Sequence, residues 1–218
     1  MRIFPLIVGA VMAIGGPALA STVGLNFNGP GVSGSLVLTY GAATDAKYPD
    51  AYRVTDISGT FSNSNNGIGT DSEVLGLVAV NHATPESTNL LAPNDFSRFA
   101  VASGLSPVSN GFLTYDNLFW PGGSPQTASD YPPHGGLLDI YGLMFRIGDN
   151  RVVDLWSNGD FGAGPDYGVA VATTDLALAY VAGGVTASIA PIPLPASAWM
   201  LAGGLLALFA WRRPRTAA

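Results

Sequence analysis

Between Ser21 and Ala190 the apolar residues recur at every second position in short runs, and no run keeps a helical period for more than a turn or two. The stretch SGSLVLTY sets Leu36, Leu38 and Tyr40 against Val37 and Thr39, so one face is apolar throughout. YRVTDISGTF starts in one parity, with Tyr52 and Val54, and continues in the other, with Ile57, Gly59 and Phe61. Such a slip predicts a bulge near Thr55-Asp56. Further strand-like runs are Val74–Asn81, Phe112–Trp120, Leu137–Ile147, Val152–Ser157, Tyr167–Ala172, Leu176–Ala182 and Val185–Ile189.

Turn signals separate these runs: SNSNNG, PGGSP, GDN, SNGD, GAGPDYG and AGG. GDN, between Ile147 and Val152, reads as a tight hairpin. About nine short strands in one body of residues 21–190 predict an all-β fold, a sandwich or a barrel. The antiparallel sandwich is favoured, because Leu137–Ile147 is apolar in both parities, as a central strand should be. NDFSRF, from Asn94 to Phe99, reads as one helical turn capped by Asn94. Two stretches, Ala83–Asn110 and Pro121–Gly136, are long for hairpin loops and mark where binding residues usually gather.

Charge narrows the partners. All 15 acidic residues lie in this body with five of the nine basic ones, Lys47, Arg53, Arg98, Arg146 and Arg151, for a net charge of −10. Such a surface repels phosphate backbones, so no nucleic-acid partner is expected. Without a single cysteine the chain has no disulfide, thiol nucleophile or cysteine-ligated metal. No cofactor-binding motif is legible, and none is expected.

Three patterns carry candidate chemistry. Asp149, Asn150, Asp154, Asn158, Asp160 and Asp166 put six hard oxygen donors within eighteen positions. Asp149, Asp154 and Asp160 are the calcium candidates among them, although Asp and Asn also gather in turns for backbone reasons. Trp120, Tyr131 and Trp156 lie in or near turn regions, where exposed rings would stack on sugar faces and buried ones would plug the core. Asp116 and Asp139 lie in or beside strands, as the carboxylate pair of a glycosidase requires. In the settings DNL and LLDI, however, aspartate more often bonds a turn amide. His82 and His134 stand 52 positions apart and no Gly-x-Ser-x-Gly occurs, so no catalytic residue is assigned and the chain reads as a non-enzyme.

The ends carry the clearest signals. Arg2, an apolar stretch from Ile3 to Ile14, and Ala18-Leu19-Ala20 form the three regions of a signal peptide (residues 1–20), with cleavage by signal peptidase between Ala20 and Ser21. At the other end, Ala196 to Trp211 is a run of 16 uncharged residues followed by Arg212, Arg213 and Arg215. At ~1.5 Å per residue it spans ~24 Å, and Ile192 to Pro195 extend it towards the ~30 Å of a hydrocarbon core. A transmembrane helix over about 194–211 is expected, with its basic end in the cytoplasm and the body outside. The alternative is a buried core helix, which three adjoining arginines disfavour.

Pro193-Leu194-Pro195-Ala196, the short apolar helix and the arginine cluster, in that order across residues 191–218, resemble a PEP-CTERM sorting signal of the Val-Pro-Leu-Pro-Ala type. Ile192 stands where that variant has Val, and the Glu of the parent motif is replaced by Leu194. The pieces DISGTF, DNLFWP and GGLLDIYGLMF of the body are also similar to secreted proteins of this family, which have no assigned activity. The resemblance implies a Gram-negative envelope protein, held transiently in the inner membrane and then processed by an exosortase to the surface or outside. It also implies a link to exopolysaccharide and biofilm. A calcium-assisted carbohydrate-binding module is the alternative expectation and a glycoside hydrolase the least favoured.

Overall fold

A computed structural model of the chain describes residues 20–80, 97–100, 112–129, 131–173 and 178–190. The expected signal helix with Ala18, and the expected sorting tail with Pro193, Leu194, Pro195, Ala196, Arg212, Arg213 and Arg215, lie outside these residues, as does most of Ala83–Asn110. Among the described residues no helix is long and apolar enough to cross a membrane.

The described chain is all β, apart from one 3-10 turn at Ser64–Asn66. In chain order the strands are β1 (Ser21–Gly29), β2 (Val32–Thr44), β3 (Tyr52–Asn63), β4 (Ile68–Leu77), β5 (Ser97–Ala100), β6 (Phe112–Tyr115), β7 (Leu118–Phe119), β8 (Leu143–Ile147), β9 (Arg151–Asp160), β10 (Pro165–Thr173) and β11 (Leu178–Ala190). Each of β1, β2, β3, β4, β8, β9, β10 and β11 pairs antiparallel with the next, and β11 returns to β1 through Leu25↔Ile189. The sheet therefore closes into an eight-stranded up-and-down barrel, with β7 added on the side of β3.

Closure corrects the expected sandwich. Both architectures bury alternate residues, so period-two patterning is identical in the two, and only the pairing of first strand with last distinguishes them. The alternate residues fill the interior: Leu25 and Phe27, Leu36 and Leu38, Phe61, Phe145, Leu155 and Val169 form one buried cluster. Phe61 sits at its centre, 6.1 Å from Phe27 and 6.0 Å from Phe145 between ring centroids.

Several local readings hold. The bulge falls at Thr55, where the β2–β3 register steps from Thr39↔Asp56 to Tyr40↔Val54. Gly148-Asp149-Asn150 makes the β8–β9 hairpin, with φ near +59° at both Asp149 and Asn150. Others do not. The proposed helical turn at Asn94–Phe99 is replaced from Ser97 onwards by β5, which pairs with β6. The run Leu137–Ile147 becomes a strand only at Leu143. Leu176–Ala182 and Val185–Ile189 merge into the single long β11, which leaves β10 for β1 between Val185 and Thr186.

One end of the barrel, called the near end here, carries Ser21, Thr44, Tyr52, Leu77, Leu143 and Ala190. Residues 78–142, inserted between β4 and β8, both leave and rejoin the barrel at this end. Phe119 and Leu138 of the insertion join the interior cluster. Its Leu113 and Tyr115, together with Val78, cover the outer face of β8–β10 at Met144, Val152, Trp156, Ala170 and Ala172. That second layer is why β8 and β9 are buried on both faces.

Candidate functional site

The junction between insertion and barrel concentrates the buried polar groups. Asn117 takes φ +57° and turns its side chain into the gap where β4 and β8 part. Its Nδ2 donates to the Val78 carbonyl at 2.8 Å, and its Oδ1 accepts from the Met144 amide at 2.9 Å. One fully buried amide thus completes the wall where the ladder stops.

Asp116 and Asp139 flank this bridge. Asp116 Oδ1 accepts from the Leu118 amide at 3.0 Å, and Asp139 Oδ1 accepts from the amides of Tyr141 and Gly142 at 2.9 and 3.1 Å. These are the turn bonds that the settings DNL and LLDI suggest. The two carboxyls are close enough for the charge of one to act on the other. Burial, then the charge of Asp139, pushes Asp116 well above the usual carboxylate range. Burial also raises Asp139, against the bonds from Gly142, Thr127, Tyr141 and Asp116.

The third carboxylate was not grouped with these by the sequence. On β9 Asp154 alternates with Val152 and Trp156 and so faces outward, but the insertion covers it. Burial, then the Asp139 charge, drives it well above the usual range. Asp116, Asp139 and Asp154 are 3%, 2% and 2% exposed, so no polymeric substrate reaches them. The paired aspartates expected of a glycosidase do meet, but in a sealed layer rather than a cleft.

The calcium candidates are kept apart. Asp149 lies in the β8–β9 turn and Asp160 at the opposite end of β9, about 35 Å along an extended strand. Asp160 Oδ1 accepts from the amides of Gly162 and Gly164 at 2.7 and 3.0 Å, which is turn chemistry. Asp166 accepts from Asn158 Nδ2 at 2.8 Å and from the Gly184 amide at 2.7 Å. Among the described residues no group of three or more His, Asp or Glu side chains could hold a metal ion. Calcium is accordingly expected to raise the melting temperature no more than sodium chloride at equal ionic strength, since screening of the acidic body serves both. A calcium-specific, chelator-reversible rise that disappears in Asp160→Ala would contradict this.

Of the aromatic candidates the two tryptophans are buried. Trp120 is buried at the near end in edge contact with Tyr48, their centroids 5.2 Å apart. Trp156 lies flat over Gly168, where a Cβ would fall 2.3 Å from the indole ring, and its Nε1 donates to Asn158 Oδ1 at 2.8 Å. Tyr131 is half-buried and donates to the Asn158 carbonyl at 2.9 Å. Burial, then the Asp166 charge, raises its phenol. Neither tryptophan is available to stack on a sugar.

At the far end of the barrel an open groove of ≈ 290 Å³ runs between β4 and the β8–β9 turn, lined by Ile68, Ser72, Glu73, Leu75, Asp149 and Arg151. It shares no residue with the carboxylate layer. No family model, curated protein or solved structure matches this chain.

Proposed function

We propose that the chain is a non-enzymatic envelope protein, exported through its leader, held at the inner membrane by its tail and released or displayed after exosortase processing. The barrel is the displayed body, in an envelope that produces exopolysaccharide. The observation carrying this reading is the three-part order of the tail: Pro193-Leu194-Pro195-Ala196, the apolar run to Trp211, then Arg212, Arg213 and Arg215.

Two features of the barrel support it. Strand β1 begins at Ser21, the first residue left by cleavage after Ala20, so cleavage there leaves every strand of the barrel whole. Strand β11 ends at Ala190 opposite Gly24, so leader and tail depart from the same end, with only Pro191 and Ile192 before the motif. A body tethered in this way faces the membrane with its near end and presents the far-end turns outward. The carbohydrate-binding alternative loses its two tryptophan platforms to burial.

Replacing Arg212, Arg213 and Arg215 together with Glu is expected to abolish processing, because acidic residues lack the topogenic effect of arginine. The check is immunoblotting of membrane, surface and medium fractions in a host that carries the exosortase. Surface display of the triple variant at the wild-type level would count against the sorting reading.

A further inference from the structure

We propose that Asp116, Asp139 and Asp154 form a proton-held latch that fastens the insertion to the outer wall of the barrel and is loosened by alkali.

The three groups come from three different pieces of chain. Asp116 joins β6 to β7, Asp139 lies in the segment leading into β8, and Asp154 is on β9 of the barrel wall. Asp154 sits between Met144 and Ala170 in the paired strands, under the apolar cover of Leu113, Tyr115 and Ile140. Asp139 also ties itself to this wall through its backbone, its carbonyl accepting from the Ser157 amide at 2.8 Å. Asp139 Oδ2 and Asp154 Oδ1 are buried and meet no N–H or hydroxyl donor within hydrogen-bond geometry. A proton on either carboxyl would remove the charge that burial leaves there without a donor.

Among the described residues no ion pair reaches these three carboxyls. Among the described residues Arg53, on β3, is the one positive charge that bears on Asp116, and it is engaged elsewhere. Its guanidinium pairs with Asp45 at 2.7 Å and reaches only the Asp116 carbonyl, at 3.4 Å. From β8, Arg146 beside Met144 is exposed. Among the described residues the other titratable groups in the layer are phenols: Tyr115, which donates to the Ala79 carbonyl, and Tyr141. Asp139, held by two amides, is the member of the three best placed to carry a negative charge, and burial disfavours a charge on Asp116 or Asp154 beside it. Ionising either places a second charge in a dry layer, where like charges repel and hydration is lost.

The sign follows from linkage. Carboxyls whose protons are held more tightly when folded bind more protons in the native state than in the unfolded state over the interval between the two ionisations. Stability from this source is therefore complete below the ordinary carboxylate range and is lost as pH rises through the folded ionisations.

The test uses the full chain in neutral detergent, with melting followed from pH 4 to pH 9 by tryptophan fluorescence, and proteolysis of the insertion followed alongside. The wild type should lose stability as pH rises, and residues 112–129 and 131–142 of the insertion should become cleavable before the barrel melts. Asp154→Asn, nearly isosteric and never charged, should match the wild type at pH 4 and lead it by about 5 °C or more at pH 9. Asp116→Asn should behave alike, which keeps the latch testable if one variant fails to fold. Parallel pH profiles for wild type and variants would overturn the latch. So would recovery of alkaline stability by calcium in the wild type but not in Asp154→Asn, because the layer would then be a cation site.

Discussion

Gly142→Ala is expected to remove most of the stability of the barrel, by more than ~4 kcal/mol out of the 5–15 kcal/mol typical of a domain. Gly142 is the last residue before β8 and has φ +72°, a conformation that costs an L-residue about 1–2 kcal/mol. Strain is the smaller part. A Cβ there would stand 2.1 Å from the Leu155 carbonyl oxygen and 2.6 Å from Trp156 Cα, both backbone atoms of β9. Gly142 cannot retreat, because its amide donates to Asp139 and its carbonyl accepts from the Asn117 amide at 2.9 Å. Relief requires β8 to part from β9 or the insertion to lift. Urea unfolding followed by tryptophan fluorescence reads the effect, with Gly69→Ala as control, since a Cβ at Gly69 meets nothing within 4 Å. A midpoint for Gly142→Ala close to that of the control would refute the close approach.

Asn117→Ala should be nearly as damaging, at ~3–6 kcal/mol. Truncation leaves the Val78 carbonyl and the Met144 amide without their partner, at about 1–3 kcal/mol for each buried group. It also puts alanine at φ +57°, which asparagine tolerates better. Asn117→Gly separates the two contributions, because glycine removes the strain but not the missing bonds, and should fall between wild type and Ala. The local signature is hydrogen exchange: the Met144 amide should lose protection in both variants while the Phe145 amide, in the β8–β9 ladder, keeps it longer. Unchanged protection at Met144 would mean that the bridge is not what closes the wall.

How much of this was legible in the sequence differed from residue to residue. The bulge at Thr55 and the turn at Asp149-Asn150 could be read because their causes are local, a parity slip in one case and turn residues in the other. Strand β1 is not legible as a strand, since STVGLNFNG mixes glycine and asparagine into a weak alternation that becomes a strand only between β2 and β11. Barrel and sandwich share one pattern, so closure left no local trace. The two-parity run Leu137–Ile147 did signal double burial, but the second cover comes from the insertion rather than from a facing sheet. Asp116 and Asp139 were recognisable as a pair from their settings. Asp154 was grouped with the turn aspartates because its burial depends on chain some forty residues upstream, at Leu113 and Tyr115. Trp120 and Trp156 stand beside turns in the sequence and inside the protein in space.

The seam between β1 and β11 has a consequence for the order of assembly. Most of the barrel can zip up hairpin by hairpin behind a growing chain, since β1–β2, β2–β3, β8–β9 and β9–β10 are close in sequence. Thr186 reaches back to Asn28 across 158 positions, so the cylinder cannot shut until its last strand has been delivered. Until then β1 is a bare edge, with unpaired amides and carbonyls that any other extended chain can use. A protein made from its N-terminus carries that open edge through nearly its whole synthesis, and the arrival of Leu178–Ala190 is what removes it.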